Sequence, residues 1–197
     1  FDIERNGAEA RADYRFAEDG TVILTAGVTS ATGIELTGLG AGQVDGWLYE
    51  FYQARLHKGR FFTQAYMNTS DAGDSWLLRD GVPLVDKSKL FVAQAQHGFS
   101  VLDDRQDFTY GIDIFRTRPN TEGTINGLYE DEDDINEWGV YLQSKTALSS
   151  KFDLILAGRV DDHSMLPEKV WSPRAALVYK PTGHEVFWRN DTVTVGG

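Results

Sequence analysis

The sequence contains no cysteine, so neither a disulfide framework nor a thiolate metal site is available to it. It also has no apolar run of about 18 residues, which excludes a transmembrane helix. Basic residues are few: 19 Lys and Arg stand against 30 Asp and Glu, for a net charge of −11. A nucleic-acid-binding face needs clustered Lys and Arg, so we expect no nucleic-acid partner. Hydrophobic residues make up 41% of the 197 residues, which is enough for one folded domain rather than a disordered chain.

What the sequence has in abundance is alternation of apolar and polar residues with a period of two. In the stretch 108–118 the apolar set is Phe108, Tyr110, Ile112 and Ile114, and the polar set includes Thr109, Asp113 and Thr117. A period of two predicts a β-strand with one apolar face and one polar face. In the stretch 2–16 the polar positions carry charges of both signs, which suits a wet lumen better than a packed core.

The same pattern predicts about ten strands, at 2–16, 21–31, 44–56, 61–69, 88–101, 108–118, 137–147, 151–162, 170–180 and 186–195. Short turns are predicted near residues 19, 58, 104, 149 and 183. Loops, mostly longer, are predicted near 38, 78, 127 and 166, and the four glycines in 32–43 favour a loop there. This rhythm predicts an all-β fold: an antiparallel up-and-down transmembrane β-barrel with short turns on one rim and long loops on the other. Trp47, Tyr49 and Tyr52 are assigned to an interfacial aromatic girdle.

Several blocks resemble the barrel of TonB-dependent outer-membrane receptors. They are TGIELTG at 32–38, DAGDSWLLR at 71–79, VDKSKL at 85–90, TEGTING at 121–127, YLQS at 141–144 and SPRAALV at 172–178. The likeness runs in order from about residue 1 to residue 181. It is specific for the family and not for a substrate.

The resemblance implies a receptor that takes up a scarce nutrient across the bacterial outer membrane and is not an enzyme. A siderophore, vitamin, sugar or peptide would fit, and no cofactor is expected. The partners it implies are outer-membrane lipid and an inner-membrane TonB-type protein that acts through a plug domain. This sequence shows no plug, no TonB box and no terminal aromatic residue, so residues 1–197 are expected to be one domain, a partial or shortened barrel.

Aromatic and arginine side chains on or beside the long loops are the candidate substrate contacts, because binding groups concentrate on loops. They are Trp76, Arg79, Arg116, Arg118 and Tyr129. The acidic run at 130–134 lacks the spaced carboxylates and glycine of a calcium loop, so we expect a solvated loop and no metal site. The histidines His57, His97 and His184 have no partner at metal-ligand spacing.

Two other interpretations stay open at the level of sequence. The first is a small self-closed barrel that acts as a passive pore or as an omptin-like hydrolase; for the hydrolase, the cluster of Asp161, Asp162 and His163 would supply acid–base groups. The second is a soluble all-β binding module such as a sandwich, which predicts two apolar inner faces packed on each other.

Overall fold

The computed structural model describes residues 3–125, 127, 130 and 132–181. These residues form ten β-strands: β1 (Glu4–Phe16), β2 (Gly20–Thr37), β3 (Gly40–Lys58), β4 (Phe61–Asp71), β5 (Trp76–Leu77), β6 (Lys89–Val101), β7 (Gln106–Arg118), β8 (Ile135–Ser149), β9 (Phe152–His163) and β10 (Val170–Tyr179). The described part of the chain contains no helix with the length and hydropathy needed to cross a bilayer. The predicted all-β class is confirmed.

The strands form a single antiparallel sheet in which each long strand pairs with its neighbours along the chain. The order is β1-β2-β3-β4-β6-β7-β8-β9-β10, and the short β5 lies off this path and pairs with β3. Within the described residues, β1 pairs only with β2 and β10 only with β9, so the sheet is open. The predicted antiparallel up-and-down arrangement is therefore confirmed, whereas the described residues do not close into a barrel. Closure would require hydrogen bonds between the backbones of β1 and β10 or through further strands.

One predicted loop turned out to be a hairpin. The residues at 32–43 extend β2 and β3 beyond the rest of the sheet, and the chain reverses at Gly38 and Leu39. The glycines that suggested a loop serve the turn instead: Gly40 has a φ of 133°, a conformation that other residues rarely adopt. The long connection at 72–88 contains the two-residue β5. The strand predicted at 186–195 lies outside the described residues.

The pairing register divides the side chains into two faces, because directly opposed residues point to the same side of a sheet. We call one side the apolar face. It carries Tyr14, Val22, Leu24, Leu56, Met67, Phe91, Ile112, Ile114, Tyr110, Val140, Leu142, Leu156 and Leu177. We call the other the polar face, with Arg11, Asp13, Gln53, Arg55, Gln64, Gln94, Gln96, Asp107, Asp113, Gln143, Lys145, Arg159, Asp161 and Arg174.

No second layer of described residues covers the apolar face. Leu142 is 53% exposed, Leu156 49% and Leu24 52%, although each lies well inside its strand. Soluble proteins rarely expose an apolar surface that runs across a whole sheet. The polar face, in contrast, carries ion pairs and side-chain hydrogen bonds between strands.

Bulky side chains on the polar face are accommodated by glycines on neighbouring strands. A methyl group added at Gly111 would lie 2.6 Å from Cζ of Tyr141, which is opposite it on β8. Gly27 on β2 lies in the same way under the ring of Phe51 on β3. Glycine at these positions lets an aromatic ring lie flat against the neighbouring backbone, an arrangement that also assists sheet curvature.

The connections differ between the two ends of the strands. At the end that we call the turn rim they span 17–19, 59–60, 102–105 and 150–151. At the loop rim they span 38–39, 72–88, 119–134 and 164–169. The predicted asymmetry is therefore confirmed for three of the four loop-rim connections, and the two-residue turn at 38–39 is the exception. Near the turn rim the apolar face carries an aromatic row, in which Phe99 and Phe108 stack with ring centroids 5.1 Å apart and Tyr110 meets His97 edge-on at 5.6 Å.

Candidate functional site

The loop rim has its own small hydrophobic core. Its buried side chains are Val44 on the β2–β3 hairpin, Ala72 and Leu84 in the connection 72–88, and Leu77 on β5. Pairing of Trp76 and Leu77 with Gln43 and Gly42 holds the long connection against the hairpin. Together with Val92 on β6, these are the buried apolar side chains among the described residues, so most of them lie at the loop rim.

The two longest connections are also bonded to each other. Thr124 accepts a hydrogen bond from the backbone amide of Val85 at 2.9 Å, and the amide of Lys87 donates to the carbonyl of Asn120 at 2.7 Å. The ammonium of Lys87 lies 2.7 Å from a carboxylate oxygen of Glu122. The loop rim is therefore a preorganised surface, which lowers the entropic cost of binding a ligand.

Glu130 ties together the two ends of the connection 119–134 through hydrogen bonds. Its carboxylate accepts hydrogen bonds from the hydroxyl and the amide of Thr121 and from the amide of Glu122, the last at 2.8 Å. The hydroxyl of Thr121, helped by these amides, holds the pKa of Glu130 below its ordinary value. The charge on this carboxylate therefore helps to order the loop.

Two predicted contact residues lie on the outer part of the loop rim. Trp76 is half-buried on β5, opposite Gln43 and bridged to Pro83. Arg79 is 80% exposed, and its guanidinium lies 2.8 Å from the carboxylate of Asp80. The structure thus places Trp76 and Arg79 within one short segment of the packed loop.

The other predicted contact residues do not join them. Arg116 and Arg118 follow the register of the apolar face on β7, where Arg116 is opposite Phe91 and Arg118 is opposite Lys89. The guanidinium of Arg118 donates to the carbonyls of Thr117 and Ile135 and pairs with Asp134 at 3.1 Å. Tyr129 lies outside the described residues. Whether any of the five contacts a substrate stays a prediction.

An aromatic pair at the loop rim has a different position from the one that the sequence indicated. The girdle assignment is wrong for Trp47 and Tyr49, because both lie on the polar face; Tyr52, on the apolar face, is compatible with it. The rings of Trp47 and Tyr49 are nearly parallel, with centroids 6.0 Å apart, and Tyr49 is 52% exposed. The indole of Trp47 donates to Ser70 at 2.8 Å. Side chains two residues apart on a strand point to the same face, so the polar Gln53 on β3 predicts that Tyr49 and Trp47 share its face.

The polar face carries a network that fixes charged groups in place. Arg159 pairs with Asp113 at 2.5 Å and with Asp161 at 2.7 Å, and its guanidinium lies 6.0 Å from the ring centroid of Tyr141. The carboxylate of Asp161 therefore forms an ion pair with Arg159. His163 accepts a hydrogen bond from the amide of Met165. Asp162 lies on the opposite face of β9 from Asp161, and its carboxylate is 3.9 Å from the ammonium of Lys169. The three groups of the predicted acid–base cluster therefore have separate structural partners, which gives the hydrolase interpretation no support.

Among the described residues, no group of three or more His, Asp or Glu side chains is arranged to hold a metal ion. Within the acidic run, Glu130 and Asp134 already have partners in Thr121 and Arg118.

The open, single-layered sheet bears on the two other interpretations. A sandwich needs a second sheet packed on the first, and the described residues form one sheet with an uncovered apolar face. A self-closed pore needs its end strands to be joined, and β1 and β10 are not joined in the described residues. The topology of the described residues therefore supports neither interpretation.

Comparison with known proteins gives the same family as the sequence blocks. Residues 2–187 match the family described as "TonB dependent receptor-like, beta-barrel". Searches of curated proteins and of solved structures found no match. Because the family match spans almost the whole chain and the strands form an antiparallel up-and-down sheet, the chain belongs to the TonB-dependent receptor-like β-barrel family.

Proposed function

We propose that this chain is part of the wall of a nutrient-importing receptor in the bacterial outer membrane, with its apolar face against lipid and its polar face toward a water-filled lumen. Membership of the family supports outer-membrane nutrient transport in general terms. The observation that carries the proposal for this chain is the separation of the two faces: exposed leucine, tyrosine and isoleucine on one side, ion-paired and amide side chains on the other. A lipid-facing sheet has this alternation.

The open edges also favour a larger wall. Unpaired backbone amides and carbonyls in hydrocarbon cost several kcal/mol each, so strands β1 and β10 require partners in a bilayer. Further strands supply them in a complete wall, and a second copy of the chain supplies them when the chain is inserted alone. Receptor barrels of this kind have roughly 22 strands around a plugged lumen. We infer that further strands complete the wall, and that energy coupling to a TonB-type protein requires a plug domain beyond the described residues.

Substrate capture is proposed at the loop rim. Trp76 and Arg79 belong to the packed loop, and the Trp47–Tyr49 pair lies on the polar face just below it. Aromatic rings and a guanidinium suit siderophores, vitamins, sugars and peptides alike, so the substrate class stays open. Arg116 and Arg118 lie on the apolar face, apart from the Trp47–Tyr49 pair.

The placement of the wall is tested by insertion of the purified chain into phosphatidylcholine vesicles. Tryptophan fluorescence should be quenched by brominated acyl chains, because Trp138 and Trp171 lie on the apolar face. Replacing both by Phe should remove most of the quenching, whereas Trp47→Phe on the polar face should retain it. A chain that stays in the aqueous phase as a compact monomer would overturn the proposal.

Capture is tested separately, in the complete receptor, with a ferric hydroxamate, cobalamin, maltohexaose and a tetrapeptide as probes. Tyr49→Ala should weaken binding of the recognised probe. The control Tyr52→Ala changes the same residue type on the same strand but on the apolar face, and should leave binding unchanged. Equal effects of the two variants would remove the polar-face pair from the site.

A further inference from the structure

Three cationic residues occupy neighbouring register positions where β6 and β7 reach the loop rim. Lys89 is directly opposite Arg118 in the strand register, and Arg116 lies two residues from Arg118 on the same face. All three have the register parity of the apolar face, as Phe91 and Ile114 do. In a chain with a net charge of −11, this grouping of positive charge stands out from the composition.

The charges are only partly compensated. Arg118 has Asp134 at 3.1 Å and also donates to backbone carbonyls. Lys89 and Arg116 have no ion pair or side-chain hydrogen bond with any residue that the structure describes. Like charges directly opposite each other on neighbouring strands destabilise a sheet. Lys89 and Arg118 are such a pair, and an anion bound by Lys89 and Arg116 beside Arg118 would offset their repulsion.

The surroundings indicate what kind of anion fits. Phe91 is opposite Arg116 in the register, and Met67 is opposite Phe91 on the next strand. Phe91 and Met67 are each 38% exposed, and both belong to the apolar face. Cations therefore adjoin an apolar surface, with the loop rim above them. Long basic side chains lay their stems on apolar surface and reach their charged heads to the level of lipid headgroups.

We propose that Lys89 and Arg116, with Arg118 beside them, bind the phosphate of a membrane lipid in the leaflet on the loop-rim side. The phosphate offers several acceptor oxygens and a negative charge, which match a guanidinium and an ammonium together. The acyl chains of the same lipid lie along Phe91 and Met67. This proposal rests on the proposed lipid contact of the apolar face.

The site is tested by native mass spectrometry of the chain in phosphatidylcholine nanodiscs that contain lipid A, with dephosphorylated lipid A as the second probe. Lys89→Gln/Arg116→Gln removes both free cations. The matched control, Lys58→Gln/Lys151→Gln, makes the same change of charge near the turn rim. Circular dichroism and resistance to trypsin establish that each variant is folded.

We expect the wild-type chain and the control to retain phosphorylated lipid A. The Lys89→Gln/Arg116→Gln variant should retain roughly three- to tenfold less, the effect of two exposed ion pairs. All proteins should retain the dephosphorylated lipid equally. Inorganic phosphate at the same concentration should not displace the lipid, because it lacks acyl chains.

Three results would overturn the lipid site: equal retention by both variants, equal loss in both, or displacement by inorganic phosphate. Failure of the wild-type chain to enter the bilayer would overturn the proposed function as well. Entry without preference for the phosphorylated lipid would remove the lipid site alone.

Discussion

Placing an arginine at each of two adjacent residues of β8 tests which face meets hydrocarbon. Leu142 lies midway along β8 and is 53% exposed on the apolar face. Gln143 is the next residue and points to the polar face, opposite Thr109 and Ala157. The two positions are adjacent on one strand, and both substitutions introduce the same side chain. The difference between them therefore isolates the environment of each face.

The expected loss of folding stability differs between the two substitutions, because one arginine would face hydrocarbon and the other water. Arginine on the lipid-facing side of a membrane strand costs about 2–4 kcal/mol near the bilayer midplane, whereas lumen positions tolerate polar substitution. Leu142→Arg should therefore lower the folding equilibrium constant roughly 30- to 700-fold, since each 1.4 kcal/mol is a factor of ten. Gln143→Arg should cost less than about 1 kcal/mol because the side chain reaches water.

The assay is urea-dependent folding into phosphatidylcholine vesicles, followed by tryptophan fluorescence and by the gel mobility of the folded form. The unfolding midpoints of both variants are compared with the wild type at a fixed lipid-to-protein ratio. Equal destabilisation by the two substitutions, or a larger effect of Gln143→Arg, would refute the assignment of faces.

Three further predictions concern packing and the loop rim. Gly111→Val should destabilise the folded sheet by about 1–3 kcal/mol, because the added atoms overlap Tyr141; Tyr141→Ala should restore part of the loss, measured as urea midpoints. Leu84→Ala should cost about 2–5 kcal/mol in the stability of the loop rim, since the side chain is 3% exposed, and hydrogen exchange of the connection 72–88 should report it. The lowered pKa of Glu130 makes the connection 119–134 sensitive to acid. The stabilisation of this connection by the Glu130 carboxylate is fully present above the ordinary glutamate pKa and is lost as the pH falls through the lower pKa of the folded state. Proteolysis within 119–134 should accelerate in that acid window, and Glu130→Gln should remove the dependence, whereas Glu132→Gln should retain it; identical profiles for both variants would contradict the role of Glu130.

The sequence predicted the sheet well because alternation is a local signal. Each predicted strand that falls in the described residues overlaps an observed one, and the alternation of Phe108, Tyr110, Ile112 and Ile114 matches the observed face. The sequence did not predict that β2 and β3 extend into 32–43 as a hairpin, because glycine is common both in loops and in tight turns. The antiparallel pairing of Leu36 with Ala41, which distinguishes the two cases, is not visible in composition.

The loop core was beyond sequence reasoning for a different reason. Val44, Leu77 and Leu84 belong to three segments whose local composition predicts loops or a strand end, and only their mutual packing makes them a core. Closure was likewise unpredictable, because alternation is the same in an open sheet and in a barrel. The candidate contacts were chosen by residue type and proximity to loops, so their faces could be assigned only from the register of β3 and β7.

The most direct measurement of the central claim uses the absence of cysteine. Single cysteines placed in turn along β7, from 108 to 117, would each carry an environment-sensitive fluorophore in vesicles. We predict alternation: a lipid-soluble quencher acts at 108, 110, 112 and 114, and a water-soluble quencher acts at 109, 113, 115 and 117. A pattern without a period of two, or with lipid contact on the polar face, would contradict the account.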